Sequence, residues 1–392
     1  MALNQKDHVR YLKSVLLDGL PGPFVSLDTS RLSGIYFVIM GLDILGALDE
    51  IDKDQVIDYV LAMQIPADPS GAHPGHCGFI GSPFLGQPFG CNDCGIISSD
   101  SLFCVEISEQ KVSALAAATA ADPVAIKPTV ARYMQGHLAM TYTSLAILLT
   151  LDPSRARLPR GADKDAIVAG VKLLQQPEGS FRATFDGSEC DMRFLYCACA
   201  ISAMLGDWSG VDVSRAVAYV RSCITYEGGI ALVPGAEAHG GSCYTGVAAL
   251  VLMGQLDAAL GEFGKEALRE WCYGRVHEAG GFNGRTNKDT DSCYSFWVGA
   301  TMSMLGAFDD CDHAPTARFL LDQCQNARAG RGGFSKAPEL FQDPVHTFYS
   351  LCWLSMSGHL PGEKLRTIDV RLATCSDRVQ ARTLDSGQLV YA

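Results

Sequence analysis

Gly280-Gly281-Phe282-Asn283-Gly284-Arg285-Thr286-Asn287-Lys288-Asp289-Thr290-Asp291-Ser292-Cys293-Tyr294-Ser295-Phe296-Trp297 joins a glycine turn, a polar loop and the start of an apolar run. Paired glycines reverse the chain because they reach backbone conformations closed to other residues. Residues 294–305, beyond the loop, carry no charge, which predicts a helix buried on nearly its whole circumference. The pattern recurs on both sides. Glu178-Gly179-Ser180-Phe181 leads to Cys190-Asp191-Met192-Arg193 and an apolar run at 194–205, and Gly228-Gly229-Ile230 leads to His239-Gly240-Gly241-Ser242 and a run at 244–253. Gly332-Gly333-Phe334 leads to Asp343-Pro344-Val345-His346 and a run at 347–356, while Cys77-Gly78-Phe79 with residues 137–150 forms a less regular copy. From Phe181 through Ile230 and Phe282 to Phe334 the step is about 50 residues, the period of a helical-hairpin array.

Between the apolar runs lie helices of surface character, at 213–223 and 263–275. Two helices per repeat and almost no alternating strand pattern predict an all-α chain, closed as an α-α barrel, or toroid, with the apolar helices inside. The polar loops then converge on one end of the cavity, so that His239, Arg285, Asp291 and His346 meet despite their separation in sequence. The chain reads as a single domain over 1–392, interrupted by an inserted surface loop at about 90–133 and ending in a polar tail from about 361.

Composition narrows the function. With 392 residues, 48% of them hydrophobic, the chain can bury a large core. Its net charge of −12, with no compensating basic block, argues against a nucleic-acid or anionic-membrane partner. Asp7, Arg10 and Lys13 interrupt the first 16 residues, so no secretory signal is expected, and the longest apolar stretches are too short to span a membrane. The 15 cysteines are irregularly spaced, several inside apolar segments (Cys197, Cys199, Cys352), which fits buried thiols and a cytoplasmic location. Cys91-Asn92-Asp93-Cys94, with His76 and Cys77 nearby, lacks a second CxxC to complete a structural metal site.

Asp291 and Cys293 stand two apart at a helix start, and His346 occupies the matching loop one repeat later. A carboxylate, a thiol and an imidazole make a mixed hard and soft set suited to one Zn2+, although Asp291 also reads as a helix N-cap. Three protein ligands leave a fourth position open, as catalysis requires, and a substrate thiol would fill it as a thiolate. Around the triad, His239, Arg285, Lys288 and Tyr294 are donors suited to a departing diphosphate. Tyr36, Phe37, Phe194, Tyr196, Phe296, Trp297, Phe348 and Tyr349 could wall a cavity for a long unsaturated hydrocarbon, or equally serve as core.

These residues resemble the β subunits of protein prenyltransferases, most closely the geranylgeranyltransferase type I branch. The likeness runs from about His8 to Gly358 and rests on Ser30-Arg31-Leu32, Gly136-His137-Leu138-Ala139-Met140-Thr141-Tyr142-Thr143, Asp191-Met192-Arg193-Phe194, His239-Gly240-Gly241-Ser242 and the segment 291–300. The resemblance implies an α-α barrel, zinc on Asp291, Cys293 and His346, and diphosphate on His239, Arg285, Lys288 and Tyr294. It assigns Ser33, Phe37, Arg193, Trp297 and Tyr349 to the isoprenoid pocket. His137, Ala139 and Phe194 fall to the pocket for the last residue of a CaaX protein, typically Leu or Phe.

Within the family, Ser33 stands where farnesyltransferases close the pocket with tryptophan, which favours a C20 lipid; Tyr349 departs from the phenylalanine of the type I branch. Lys336 takes the place of the aspartate that recruits Mg2+, so catalysis without Mg2+ is expected. The implied partners are a helical-repeat prenyltransferase α subunit, geranylgeranyl diphosphate and CaaX proteins such as Rho-type small GTPases. The chain's own C-terminus carries no CaaX cysteine. Rival readings are a farnesyltransferase β subunit, a Rab-type prenyltransferase β subunit and a peptide-binding helical scaffold without chemistry. A terpene cyclase would need an Asp-x-Asp-Asp motif, which is absent.

Overall fold

The computed structural model describes residues 2–19, 28–65, 75–82, 135–152, 161–278, 280–326, 328, 330–360, 365–378 and 381–391. The expected insertion at about 90–133, including Cys91 and Cys94, lies outside them.

Among the described residues, six helices form the inner ring: α2 (Arg31–Ile44), α4 (Leu138–Leu151), α6 (Met192–Leu205), α8 (Gly240–Leu252), α10 (Ser292–Met304) and α12 (Pro344–Ser357). Each packs on the next, and α12 packs back on α2, which closes the circle. Outside lie α1 (Gln5–Asp18), α3 (Lys53–Ala62), α5 (Gly161–Leu174), α7 (Val213–Ser222), α9 (Leu256–Tyr273) and α11 (Ala314–Arg318), which continues as a π-helical turn over Phe319–Cys324. Among the described residues, strands are confined to two-stranded ladders of two or three residues per strand. Buried residues occupy almost all of α4, α6 and α8 and most of α10, and Cys197, Cys199 and Cys352 are buried free thiols as expected.

The glycine turns owe their regularity to neighbour packing. A Cβ on Gly179, Gly228 or Gly280 would lie 2.0, 2.6 or 2.3 Å from a backbone carbonyl of the following outer helix, at Arg215, Ala267 and Pro315, and all three glycines have positive φ. Gly332 makes the same approach to the Asp7 carbonyl of α1, at 2.1 Å. The N-terminal helix thus takes the outer position that follows the last repeat. His8 completes the seam: its Nδ1 accepts from the Gly333 N–H at 2.8 Å, its Nε2 pairs with Gln325 Oε1 at 2.8 Å, and its ring stacks on Phe334.

Because every outer helix precedes its inner partner, all inner helices begin at one rim. Side chains cap them there: His137 Nδ1, Asp191 Oδ1, His239 Nδ1, Asp291 Oδ1 and Asp343 Oδ1 accept backbone N–H groups of α4, α6, α8, α10 and α12.

Part of the tail expected to be polar is buried. Ile368–Asp369 pairs with Thr374–Cys375 in a tight hairpin whose Leu372, Ala373, Thr374 and Cys375 are all buried. This finger is anchored where the inner helices end, with the Arg366 N–H on the Ile44 carbonyl and Ser355 Oγ on the Arg366 carbonyl. Composition hid this burial because Arg366, Asp369, Arg371 and Arg378 satisfy one another and Asp43 inside the contact.

Candidate active site

Asp291, Cys293 and His346 converge at the rim, with one ligand atom from each lying within 4.8 Å of the others. Donors bound tetrahedrally at zinc distances of 2.0–2.3 Å stand roughly 3–4 Å apart, so the set needs only a small contraction to close on an ion. Asp291 is both the cap of α10, through Oδ1, and a member of the triad; the two readings of this residue are compatible. His346 Nδ1 pairs with Asp343 Oδ2 at 2.5 Å, leaving Nε2 toward Asp291 Oδ1 at 3.3 Å. A carboxylate behind a ligating imidazole fixes its orientation and raises its basicity.

The electrostatics match this geometry. Burial alone would lower the His346 pKa, yet hydrogen bonds with Asp291 and Asp343 raise it to about 9. Burial raises the Asp291 carboxyl, but His346 and Cys293 outweigh it and hold the group below its ordinary range. Burial and the Asp291 charge push the Cys293 thiol well up. A carboxylate, a thiol and an imidazole in one half-buried pocket suit a divalent cation, which would displace the protons of the thiol and imidazole.

Next to the triad, Tyr294 Oη meets His239 Nε2 at 2.7 Å. Arg285 comes from the loop before α10 and is held by Glu237 Oε2 at 2.9 Å, and Lys288 stands exposed on the same loop. Lys336 Nζ lies 3.8 Å from Asp291 Oδ2. The N-termini of the inner helices all point at this rim, each worth roughly half a positive charge, so the field favours an anion there.

Below the rim, Ser33, Gly34, Phe37 and Trp297 are only partly buried although they belong to the inner ring, and a Cβ on Gly34 would meet nothing within 4 Å. Trp297 and Tyr349 pack at 4.2 Å between ring centroids, and Phe37 meets Tyr349 at 5.7 Å. His137 and Phe194 stand edge to face at 5.7 Å, and the Ala139 N–H donates to His137 Nδ1 at 3.2 Å. Arg193, expected in the isoprenoid pocket, pairs with Asp191 at 2.7 Å and lies over the Phe194 ring at 5.2 Å. His76 and Cys77 lie apart from the triad, the ring of His76 against Phe185 and the thiol of Cys77 on the Ala166 carbonyl.

Asp343 and Glu237 have no role in the sequence reading. Asp343 occupies the same repeat slot as Asp191 and Asp291, a signal that was available. Glu237 gives no local sign, because its partner is 48 residues away.

Comparisons with known proteins agree with this construction. The model of the prenyltransferase alpha-alpha toroid domain matches residues 3–374. The chain belongs to the prenyltransferase alpha-alpha toroid family. This toroid is 33% identical over 362 residues to the geranylgeranyl transferase type-1 subunit beta of Arabidopsis thaliana, covering 90% of the chain and 84% of the relative. It is 34% identical over 352 residues to the Dictyostelium discoideum protein of the same name, covering 88% of each. A solved structure, the Candida albicans protein geranylgeranyltransferase-I complexed with GGPP, superposes with a TM-score of 0.72 at 19% identity, covering 96% of this chain and 97% of that one. The all-α toroid expected from the repeats is thus shown, and the toroid is a transferase.

Proposed function

We propose that this toroid is the catalytic β subunit of a heterodimeric protein geranylgeranyltransferase type I. It transfers a C20 group from geranylgeranyl diphosphate to the cysteine of a C-terminal CaaX sequence ending in Leu or Phe, as in Rho-type small GTPases. The observation that carries the reading is the Asp291, Cys293 and His346 cluster on the same rim as His239, Tyr294 and Arg285. A thiol site thereby adjoins a diphosphate site.

Asp291, Cys293 and His346 would hold the zinc, which when bound keeps the substrate thiol as a nucleophilic thiolate near neutral pH. Asp343 orients His346 and so keeps the ligand set in register. His239, Tyr294, Arg285 and Lys288 receive the negative charge that grows on the leaving diphosphate. The substrate sulfur forms its bond to C1 of the prenyl chain as the C1–O bond breaks; the electron pair leaves with diphosphate and the thiol proton passes to water. Lys336 supplies fixed positive charge beside the triad, which supports catalysis without Mg2+. Ser33 and Gly34 leave the room for a fourth isoprene unit that a tryptophan would fill.

The test is a competition assay on the chain co-expressed with a prenyltransferase α subunit, offered C15 and C20 diphosphates with CaaX peptides ending in Leu or Ser. Preference for C20 with the Leu peptide, stoichiometric zinc and full turnover without Mg2+ are expected. Preference for C15 with the Ser peptide would replace this reading by the farnesyltransferase one, and absence of zinc would undermine both.

A further inference from the structure

Tyr36, Tyr142, Tyr196 and Tyr244 sit near the fifth position of four successive inner helices, and their rings meet in sequence at 5.7, 5.4 and 5.6 Å between centroids. Their hydroxyls form a chain across the barrel axis, with separations of 3.0, 3.2 and 3.5 Å. Each hydroxyl has one proton to give. Tyr142 donates to the Leu372 carbonyl at 3.0 Å, Tyr196 to the Arg371 carbonyl at 3.1 Å and Tyr244 to the Val370 carbonyl at 2.9 Å, while Tyr36 has both the Tyr142 oxygen, at 3.0 Å, and the Leu372 carbonyl, at 3.5 Å, as acceptors. The acceptors are three consecutive carbonyls at the tip of the C-terminal finger. The finger therefore runs up the lumen from the end where the inner helices finish, and its tip meets the tyrosines from beneath.

The same tyrosines support the walls of the lipid site. Tyr244 packs on Trp297 at 4.9 Å and Tyr36 on Phe37 at 5.4 Å, and through Phe348, at 5.6 Å from Tyr36, the contact continues to Tyr349. The finger is held from several sides. Asp43, fully buried in α2, takes both Arg366 and Arg378; Asp369 pairs with Arg371 and accepts from Tyr391 Oη at 3.2 Å; and Trp208 Nε1 donates to the Leu389 carbonyl at 2.9 Å. A buried carboxylate carrying two guanidiniums is an expensive arrangement for a disposable tail, since each charge must be fully compensated when it leaves water.

We infer that the finger tip, residues 370–372, is a length-determining element of the transferase: through the tyrosine hydroxyls it sets the depth at which the isoprenoid pocket ends. The inference rests on the proposed function and deepens it, because it assigns selection of chain length to the C-terminal segment as well as to Ser33. Leu372 is fully buried at the tip, and trimming it to alanine removes three carbons from beneath the tyrosine floor. One isoprene unit adds five.

The experiment uses the heterodimer with C15, C20 and C25 prenyl diphosphates. For Leu372→Ala the ratio of kcat/KM for C25 over C20 is expected to rise at least fivefold, with the peptide KM and zinc content unchanged. An unchanged ratio in the folded variant overturns the inference. Hydrogen exchange on the wild-type heterodimer tests it without any substitution: amides at 366–378 are expected to gain protection with C20 diphosphate and less with C15. Equal protection by the two lipids would also overturn it. Failure of the wild type to bind any prenyl diphosphate would instead sink the functional reading itself.

Discussion

At the scale of single residues, the site is built from helix caps put to a second use. A capping side chain must sit at the first turn with an oxygen or nitrogen aimed at backbone N–H groups, and in a ring of parallel helices that places every cap on one rim. Asp291 keeps one oxygen for the Cys293 N–H and has the other 3.8 Å from Lys336 Nζ. Cys293→Ala is expected to abolish zinc binding and turnover while lipid-diphosphate binding stays within a few-fold, as measured by metal analysis and equilibrium binding. Loss of lipid binding as well would make the metal structural. Asp343→Asn removes the charge behind His346 and is expected to weaken metal affinity by about 10–100-fold, read by competition with a chelator. Asp291 and Cys293 were legible because their spacing is local. The hold of Glu237 on Arg285 was not, since only the ring brings two loops 48 residues apart together.

The repeat element has its own logic, visible in two glycines with opposite demands. Gly280 has φ +94° and lies against the Pro315 carbonyl, so Gly280→Ala should cost roughly 2–3 kcal/mol in chemical unfolding. Gly34, in the first turn of α2 with nothing within 4 Å of a Cβ, behaves in the reverse sense. Gly34→Ala should stabilise by about 0.5–1 kcal/mol through helix propensity, while narrowing the pocket and lowering C20 turnover. The α1 seam carries a pH dependence. Burial outweighs the hydrogen bond with Gln325 and the Asp7 charge, and drops the His8 pKa from 6.5 to about 4, so the folded chain holds the neutral ring where the unfolded chain binds a proton. The folded pKa lies below the unfolded one, so this contribution is intact above pH 6.5, is lost as pH falls toward 4, and amounts to roughly 3 kcal/mol. A urea midpoint that falls over that window in wild type and much less in His8→Asn would confirm it; equal falls would reject it.

For the whole molecule, closure depends on both chain ends. The N-terminal helix takes the outer place after the last repeat, and the C-terminal finger occupies the lumen. Where the finger meets α2, Asp43 is wholly buried while the side chains of Arg366 and Arg378 retain some contact with water. Removing both arginines strands a buried charge and should cost about 3–5 kcal/mol; Asp43→Asn leaves two partly solvated cations and should cost less. Denaturant unfolding of the two variants tests that order, and the reverse order would show that the arginines, not the aspartate, bear the burial penalty. Asp43 was a readable hint, the one acidic residue in an apolar helix, but nothing near it in sequence names its partners. By itself the sequence determined the repeat, the helices, their buried faces and the rim residues, since glycine turns, caps and 3.6-residue periodicity are properties of neighbours along the chain. Only the tertiary structure decided that α1 closes the circle, that Glu237 holds Arg285 and that the hairpin of a polar-looking tail meets the tyrosines of the inner ring. Those are meetings of residues 48 to 335 positions apart, and burial in the closed ring, which no local pattern records, is what makes them favourable.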